Sequence, residues 1–389
     1  MSDCSKKRYR RDYTVHMIGN AHIDPVWFWR WKEGKAEVIA TCRSALDRMK
    51  ETPTFIFFRS SAVTYRWLEE DEPEMFEEIR QRVREGRWNI VNGWWVQPDC
   101  NLPCGESFVR QGLYGQRYFM DRFGVRAKVG YNVDSFGHCA TLPQILKKCG
   151  LDYYVFFRPG PHEKDLPSPL FWWEAPDGSR VLACRPPHHY NSGPDEIEER
   201  ILQAYEETLP GLRDVMCFYG VGNHGGGPTK RNIQSILKLD ADPAMPAVRF
   251  STPDAFFEKV LPQCADLPVV REDLQHHARG CYTSVSALKR HHRRCESLLM
   301  TAEKFASVVH GWFDGRYPQR ALVRGWKHVL FNQFHDILGG TCIRPACEDA
   351  EALYRETYRM AGGALDEALH RIAARVDGHP GRGRFSVGL

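Results

Sequence analysis

The chain has 389 residues, 42% of them hydrophobic and 12% aromatic, which is enough for one large core and a second, smaller unit. Its 53 basic and 49 acidic residues leave a formal net charge of +4, a near-balance that argues against a nucleic-acid-binding protein. We interpret the short basic run Lys6–Arg11 as a solvated leader.

Targeting and redox signals are weak in this sequence. Residues Met1–Arg11 lack the apolar stretch of a signal peptide, and no run of about 18 apolar residues predicts a membrane span. The 13 cysteines are scattered; Cys100 and Cys104 lie close together with turn residues between them, but no Cys-x-x-Cys pair indicates a structural zinc knuckle. We therefore expect a cytoplasmic protein with reduced thiols and no membrane partner.

Short runs of β-branched and aromatic residues alternate with longer helical patterns up to about residue 265. Strands are predicted at Tyr13–Gly19, Thr54–Phe58, Trp88–Asn92, Lys128–Val133, Tyr153–Phe157, Arg180–Cys184, Val215–Tyr219 and Val248–Ser251. Helices are predicted at Lys35–Met49, Glu74–Glu85, Glu106–Arg122, Leu142–Cys149, Asp195–Glu206, Lys230–Leu237 and Pro253–Val260. This alternation predicts a parallel sheet covered by helices, and seven or eight such units favour an α/β barrel. The pair Asp177-Gly178 predicts a hairpin turn before Arg180.

Strand signals vanish after about residue 265. Three long helices are predicted there, at Ser284–Trp312, Arg320–Phe334 and Cys347–Val376. Short connections between them predict a bundle packed on the barrel. We therefore divide the chain into an α/β-barrel domain over residues 1–265, a three-helix bundle over residues 266–378 and a disordered Gly/Arg-rich tail over residues 379–389.

The first predicted strand leads into His22 and Asp24, two residues apart. Side chains at i and i+2 of an extended backbone point to one side, so both could reach a common ion. Imidazole and carboxylate ligands suit zinc or a similar divalent cation. Trp27, beyond Pro25, offers an aromatic face that suits a sugar ring. A loop histidine with a capping aspartate and core tryptophans would explain the same residues.

Three further clusters carry candidate chemistry. Asp134 follows the strand Lys128–Val133 and could be a nucleophile, a general base or a metal ligand, or could cap the helix near Leu142. His335 and Asp336 follow a predicted helix; His335 could complement the helix dipole or complete a metal site from the second domain.

The glycine-rich stretch from Gly220 to Thr229 follows the strand Val215–Tyr219. Its glycines allow the backbone to approach a ligand closely. It lacks the Gly-Lys-Ser/Thr of a phosphate-binding loop, so we reject a nucleotide-binding fold.

Together these clusters resemble the glycoside hydrolase family 38 α-mannosidases. The matching stretches are HIDPVW, NVDSFGH, GVGNHGGGPT, RGCYTS and NQFHDILGGT. They occur in family order and extend the resemblance over nearly the whole chain, from about Tyr13 to about Arg375. The last stretch is more similar to the cytosolic and bacterial branch than to the Golgi or lysosomal one.

The resemblance implies a seven-stranded α/β barrel followed by a three-helix bundle. It implies a divalent ion, usually zinc, held by His22, Asp24, Asp134 and His335, while cobalt, manganese and calcium stay open as alternatives. It further implies that Asp134 is the nucleophile and that the substrate contacts Trp27, Phe136, Arg158, Asn223 and Asp336.

The sequence departs from the family pattern in two ways. Family members often carry an aspartate acid/base where Asn223 and His224 stand, so we assign that role to His224, with Asp99 and Asp195 as other candidates. Family members also continue into β-sandwich domains beyond the length of this chain, and we expect those domains to be absent here.

The leading hypothesis is a retaining α-mannosidase that cleaves terminal α-mannosyl residues from mannosides or oligosaccharides through a covalent mannosyl-Asp134 intermediate. One alternative is a metal-dependent polysaccharide deacetylase with a metal-bound water as nucleophile. Another is an inactive carbohydrate-binding remnant. Linkage preference and homo-oligomer formation stay open.

Overall fold

The computed structural model describes residues 9–222 and 225–375. The predicted tail, part of the basic leader, and Asn223 and His224 of the glycine-rich loop lie outside the described residues. Within those ranges no helix combines the length and the apolar character needed to cross a membrane.

Ten strands and twelve helices are described. The strands are β1 (Thr14–Gly19), β2 (Phe57–Arg59), β3 (Trp88–Ile90), β4 (Val129–Tyr131), β5 (Tyr153–Val155), β6 (Leu170–Glu174), β7 (Arg180–Cys184), β8 (Asp214–Tyr219), β9 (Ala247–Ser251) and β10 (Val269–Val270). The helices are α1 (Trp31–Glu51), α2 (Ala62–Asp71), α3 (Pro73–Arg84), α4 (Gly105–Phe123), α5 (Leu142–Lys148), α6 (Ile197–Glu206), α7 (Lys230–Ala241), α8 (Pro253–Val260), α9 (Ser286–Trp312), α10 (Gln319–Asn332), α11 (His335–Gly339) and α12 (Arg344–Ala373).

The strands form three sheets, with orders β8-β1-β9, β10-β6-β7-β5-β4 and β2-β3. Every pair is parallel except the hairpin of β6 and β7. The predicted mixed α/β domain with parallel sheets is thus confirmed. The closed seven-stranded barrel is a finer statement than these three sheets support, and it stays a prediction.

Burial explains why these segments are strands and helices. All six residues of β8 and five of the six of β1 are buried, the near-continuous apolar run typical of a parallel strand covered on both faces. On α1 the buried residues include Val38, Cys42 and Leu46, spaced four apart, so one stripe of the helix faces the core. The sheets therefore lie beneath helices, and the chain segments after the strands are free to form a site.

The hairpin turn at Asp177 and Gly178 is confirmed. Gly178 has φ +83°, and Ser179 N donates to Asp177 Oδ1 over 3.0 Å. Two elements were not predicted: β6, which is the antiparallel partner of β7, and the helix α2. We expected no strand after about residue 265, but the short strand β10 lies beyond it and pairs with β6.

The C-terminal helical region is built from α9, α10 and α12, as predicted. Leu299, Trp326 and Tyr354 are fully buried between these helices. The region is anchored to α4 through Glu296, which is buried and accepts hydrogen bonds from Cys104 N (2.9 Å) and Ser107 Oγ (2.5 Å). This contact fixes the helical region against the α/β domain.

The end of α10 differs from the prediction. The helix stops at Asn332 instead of Phe334, and His335 is the first residue of α11. His335 therefore lies at a helix start, so its interpretation as a dipole partner at a helix C-terminus is wrong. The glycine pair does end a helix, because Gly340 caps α11 with φ +77°.

Candidate metal centre

His22 and Asp24 lie directly after β1, on the edge where parallel strands end. Nε2 of His22 is 2.8 Å from Oδ1 of Asp24, and both side chains are buried. The two side chains thus meet on one side of the backbone, as their spacing predicts.

Asp134 and His335 complete a group of four. Oδ2 of Asp134 is 3.9 Å from Nε2 of His22 and 3.5 Å from Nε2 of His335, and Nε2 of His335 is 3.6 Å from Oδ1 of Asp24. One donor atom from each residue lies within 4.8 Å of all the others. These separations suit ligands that surround an ion at about 2.0–2.2 Å from each.

The histidines fit a metal ion in a second respect. Nδ1 of His335 is 3.0 Å from the carbonyl oxygen of Gln97, so that nitrogen carries the proton and Nε2 faces the cluster. Nε2 of His22 also faces the cluster, and the buried Nε2 of His335 meets carboxylate oxygens only weakly, at 3.5 Å from Asp134 and 3.6 Å from Asp24. A buried ring nitrogen with such long contacts is costly unless a cation or proton binds it, so this donor set fits a divalent ion.

Neighbouring charges set the protonation of Asp134 and His335 in this cluster. Burial opposes ionisation of Asp134, but the hydrogen bond with His335 and the charges of His335, His22 and Arg158 outweigh burial and lower the pKa of Asp134. Burial also opposes protonation of His335, yet its bonds to Asp134 and Asp24 raise its pKa well above the usual value. A proton and a metal ion therefore compete for His335.

Arg158 holds Asp134 from the opposite side. Its Nε donates to Oδ1 of Asp134, and its Nη1 lies 2.8 Å from Nε2 of His277. Because a guanidinium only donates, Nε2 of His277 accepts and Nδ1 carries the proton towards Glu163 Oε1, 2.5 Å away. Glu163 also accepts from Gly160 N over 2.7 Å. A chain of hydrogen bonds thus fixes the orientation of the Asp134 carboxylate.

Two of the predicted sugar-contacting residues, Phe136 and Asp336, adjoin His335. Phe136 lies edge-on to His335, with ring centroids 5.8 Å apart. Trp27 is partly buried and stacks on Phe28 at 4.1 Å. Asp336 Oδ2 is 3.7 Å from Nε2 of His335, and burial raises the pKa of Asp336 to about 7.

The three acid/base candidates fare differently. His224, like Asn223, lies outside the described residues. Asp99 is buried, and its Oδ1 accepts from the backbone nitrogens of Asn101 (2.9 Å) and Leu102 (2.7 Å), a structural role. The Asp195 side chain is 68% exposed and pairs with Arg231. Within the described residues neither carboxylate forms a hydrogen bond or an ion pair with the four cluster residues, and the proton donor stays a prediction.

Sequence reasoning missed Tyr190, His277 and Glu163. Tyr190 is buried, its ring lies 5.0 Å from that of His22, and its pKa is raised well above the usual value by burial and then by the Asp134 charge. Tyr190 follows β7, so its place after a strand end was a usable signal. His277 and Glu163 belong to loops without such a signal.

A cavity of about 430 Å³ opens beside Arg158. It is lined by polar groups that include Glu163, His188 and His189, together with the apolar side chain of Phe157. The Arg158 side chain therefore lies between this cavity and Asp134 of the four-residue cluster.

Two family models match the chain. The model of the glycosyl hydrolases family 38 N-terminal domain matches residues 12–279, and that of the alpha mannosidase middle domain matches residues 276–372.

Similar proteins include alpha-mannosidase G of Dictyostelium discoideum, 32% identical over 93% of this chain, and human alpha-mannosidase 2C1, 32% identical over 95%. The chain covers 34% and 36% of these two relatives, so it spans about a third of their length. The crystal structure of an alpha-mannosidase from Enterococcus faecalis V583 superposes with a TM-score of 0.80 at 21% identity, covering 94% of this chain and 43% of that one.

Proposed function

We propose a function for this chain, which belongs to glycosyl hydrolase family 38. The chain carries the active site of a retaining α-mannosidase that depends on a divalent metal. Its substrates are mannosides or oligosaccharides with terminal α-mannosyl residues. The names of the relatives support the substrate class, since both are alpha-mannosidases.

The observation that carries this proposal is the position of Asp134. One of its carboxylate oxygens faces the two histidines of the cluster, and the other accepts from Arg158. A carboxylate held in this way is ionised and oriented, as a glycosidase nucleophile must be. We assign the metal-ligand role to His22, Asp24, Asp134 and His335, with zinc as the favoured ion.

The reaction would follow the two-step retaining course. Asp134 attacks the anomeric carbon and forms a mannosyl ester, which water then hydrolyses with overall retention of configuration. Arg158 keeps the attacking oxygen aligned, and Tyr190 closes the cluster beside His22. A bound divalent ion would polarise sugar hydroxyl oxygens and help to distort the ring.

Substrate contacts and the proton donor complete the proposal. Trp27 would stack under the mannose ring, Phe136 would line the pocket, and Asp336 and Asn223 would bind hydroxyl groups. His224 would protonate the leaving oxygen and later activate water. The cavity beside Arg158 is the volume available for the leaving group.

The finer architecture is also a proposal. We infer that seven of the ten strands in the three sheets close into one barrel, supported by the 2.7 Å bond from Asn92 N, after β3, to Val129 O in β4. We retain the division at about residue 265 and a cytoplasmic location as proposals.

The test is hydrolysis of an aryl α-mannoside by purified protein. We expect turnover that is lost on chelation, restored by zinc, and reduced at least about a thousandfold by Asp134→Asn. Asp121→Asn, at an exposed aspartate on α4, is the matched control and should retain activity. Unimpaired Asp134→Asn would refute the proposal. Acetate release from an acetylated glycan would favour the deacetylase, and saccharide binding without turnover would favour the binding remnant.

A further inference from the structure

Two thiols lie together at the start of α12. Sγ of Cys342 and Sγ of Cys347 are 3.6 Å apart, and both side chains are partly exposed. Among the described residues they are the one pair of cysteines in mutual hydrogen-bonding contact. The cysteines are reduced at this distance, since a disulfide needs about 2.05 Å.

Helix capping explains why the two side chains meet, but not why they are thiols. Ile343 is the N-cap of α12, so Cys342 occupies the position before the cap and Cys347 the fourth helical position. Apolar residues at these two positions commonly pack together and fix the entry of the chain into a helix. Any pair of small apolar side chains would serve that purpose.

The surroundings make the two thiols chemically unequal. The hydrogen bond from Cys342 lowers the pKa of the Cys347 thiol to about 7, while the same bond raises the pKa of Cys342. The first turn of the 30-residue helix α12 also favours negative charge on Cys347. Cys347 is therefore the attacking thiolate, and Cys342 is the thiol beside it.

We propose that Cys342 and Cys347 form a thiol modification site that reacts with low-molecular-weight disulfides. The Cys347 thiolate attacks the disulfide RSSR, which forms a Cys347–SR bond and releases one RS⁻. Cys342 then loses its proton to solvent and attacks the Cys347 sulfur, which forms the Cys342–Cys347 bond and releases a second RS⁻. The two cysteines are oxidised, and one RSSR is reduced to two RSH.

Closing this bond would affect the segment that supports the sugar site. The two sulfur atoms must approach from 3.6 Å to about 2.05 Å, and the new bond would then constrain the turn before α12. Cys342 N donates to Asp336 O (3.2 Å), and Ile343 N donates to Trp27 O (2.9 Å). Both acceptor residues are proposed sugar contacts, so this consequence rests on the proposed function.

The first test uses oxidised glutathione and mass mapping of the full chain after alkylation of free thiols. We expect a Cys342–Cys347 disulfide in the unaltered protein and a trapped glutathione adduct on Cys347 in Cys342→Ser. We expect at least tenfold less adduct on Cys342 in Cys347→Ser. Cys139, a partly exposed cysteine hydrogen-bonded to Thr141, is the reference thiol. Absence of the disulfide, or equal adducts on all three cysteines, would overturn the proposal.

The second test measures hydrolysis of an aryl α-mannoside before and after oxidation. Oxidation should lower kcat/KM at least threefold, dithiothreitol should restore it, and kcat/KM of Cys347→Ser, which lacks the attacking thiolate, should not respond to the oxidant. Oxidation that leaves kcat/KM unchanged would overturn the link to the sugar site. If the unoxidised protein shows no hydrolysis, the proposed function fails, and the mass map still decides the modification site.

Discussion

Replacing His277 by leucine should lower kcat about ten- to a hundredfold and leave KM nearly unchanged. His277 accepts the Nη1 hydrogen bond of Arg158, whose Nε holds Asp134. A hydrogen bond to a charged group contributes about 1.5–3 kcal/mol, and each 1.4 kcal/mol corresponds to a tenfold change in rate. The loss should fall on kcat because, in the proposed function, the alignment of Asp134 governs the attack, whereas Trp27 and Asp336 are the proposed sugar contacts.

The assay is steady-state hydrolysis of an aryl α-mannoside, with bound zinc measured in every sample. The neighbouring His276→Leu is the matched control, because the His276 side chain is exposed and lies outside the hydrogen-bond chain from Glu163 to Asp134. His277→Gln should recover part of the rate, since its amide oxygen can accept from Arg158. The reasoning fails if His277→Leu behaves like His276→Leu, or if only KM changes.

Three further predictions concern the metal and the fold. Zinc affinity, measured by competition with a chelating dye, should rise about tenfold per pH unit until the pH passes the raised pKa of metal-free His335. The reason is that zinc displaces the proton bound to His335. A flat profile would contradict this competition. Gly115→Ala should lower the free energy of unfolding in urea by about 1–3 kcal/mol, because the new Cβ would lie 2.2 Å from Gly93 O. Gly362→Ala, where the new Cβ meets open space, should raise that free energy by up to about 1 kcal/mol. Stabilisation by both substitutions would refute the packing argument. Glu296→Leu should lower the free energy of unfolding by about 3 kcal/mol in the same measurement, because Cys104 N and Ser107 Oγ lose their acceptor. A change below about 0.5 kcal/mol would refute the anchoring role of Glu296.

The sequence predicted most strands because their signal is local. Buried runs such as Val215–Tyr219 carry enough β-branched and aromatic residues to identify a strand without its neighbours. β6 was missed because Leu170–Glu174 reads as an apolar run that could be helix or strand, and its antiparallel pairing with β7 is a tertiary fact. The end of α10 was missed because the apolar period continues through Phe334 although the backbone breaks there.

The residues of the candidate site also differ in whether a local sequence signal predicts them. His22, Asp24 and Asp134 were predictable because strand ends in a parallel sheet meet at one edge. His335 needed the family resemblance, since nothing local to its helix places it beside Asp134. His277 and Glu163 could not be predicted, because they reach Asp134 only through Arg158 and lie on loops. Cys342 and Cys347 were passed over because their contact depends on how α12 begins.

The four residues of the cluster lie far apart in the sequence, and this separation matters during biosynthesis. His335 follows Asp134 by about two hundred residues, so at about 5–20 residues per second it leaves the ribosome roughly ten to forty seconds later. During that interval the nascent chain offers three of the four candidate ligands, and we expect it to bind ions weakly. Metal loading, and the choice among competing cellular cations, should therefore happen after α10 and α11 have docked, so that the finished fold selects the ion.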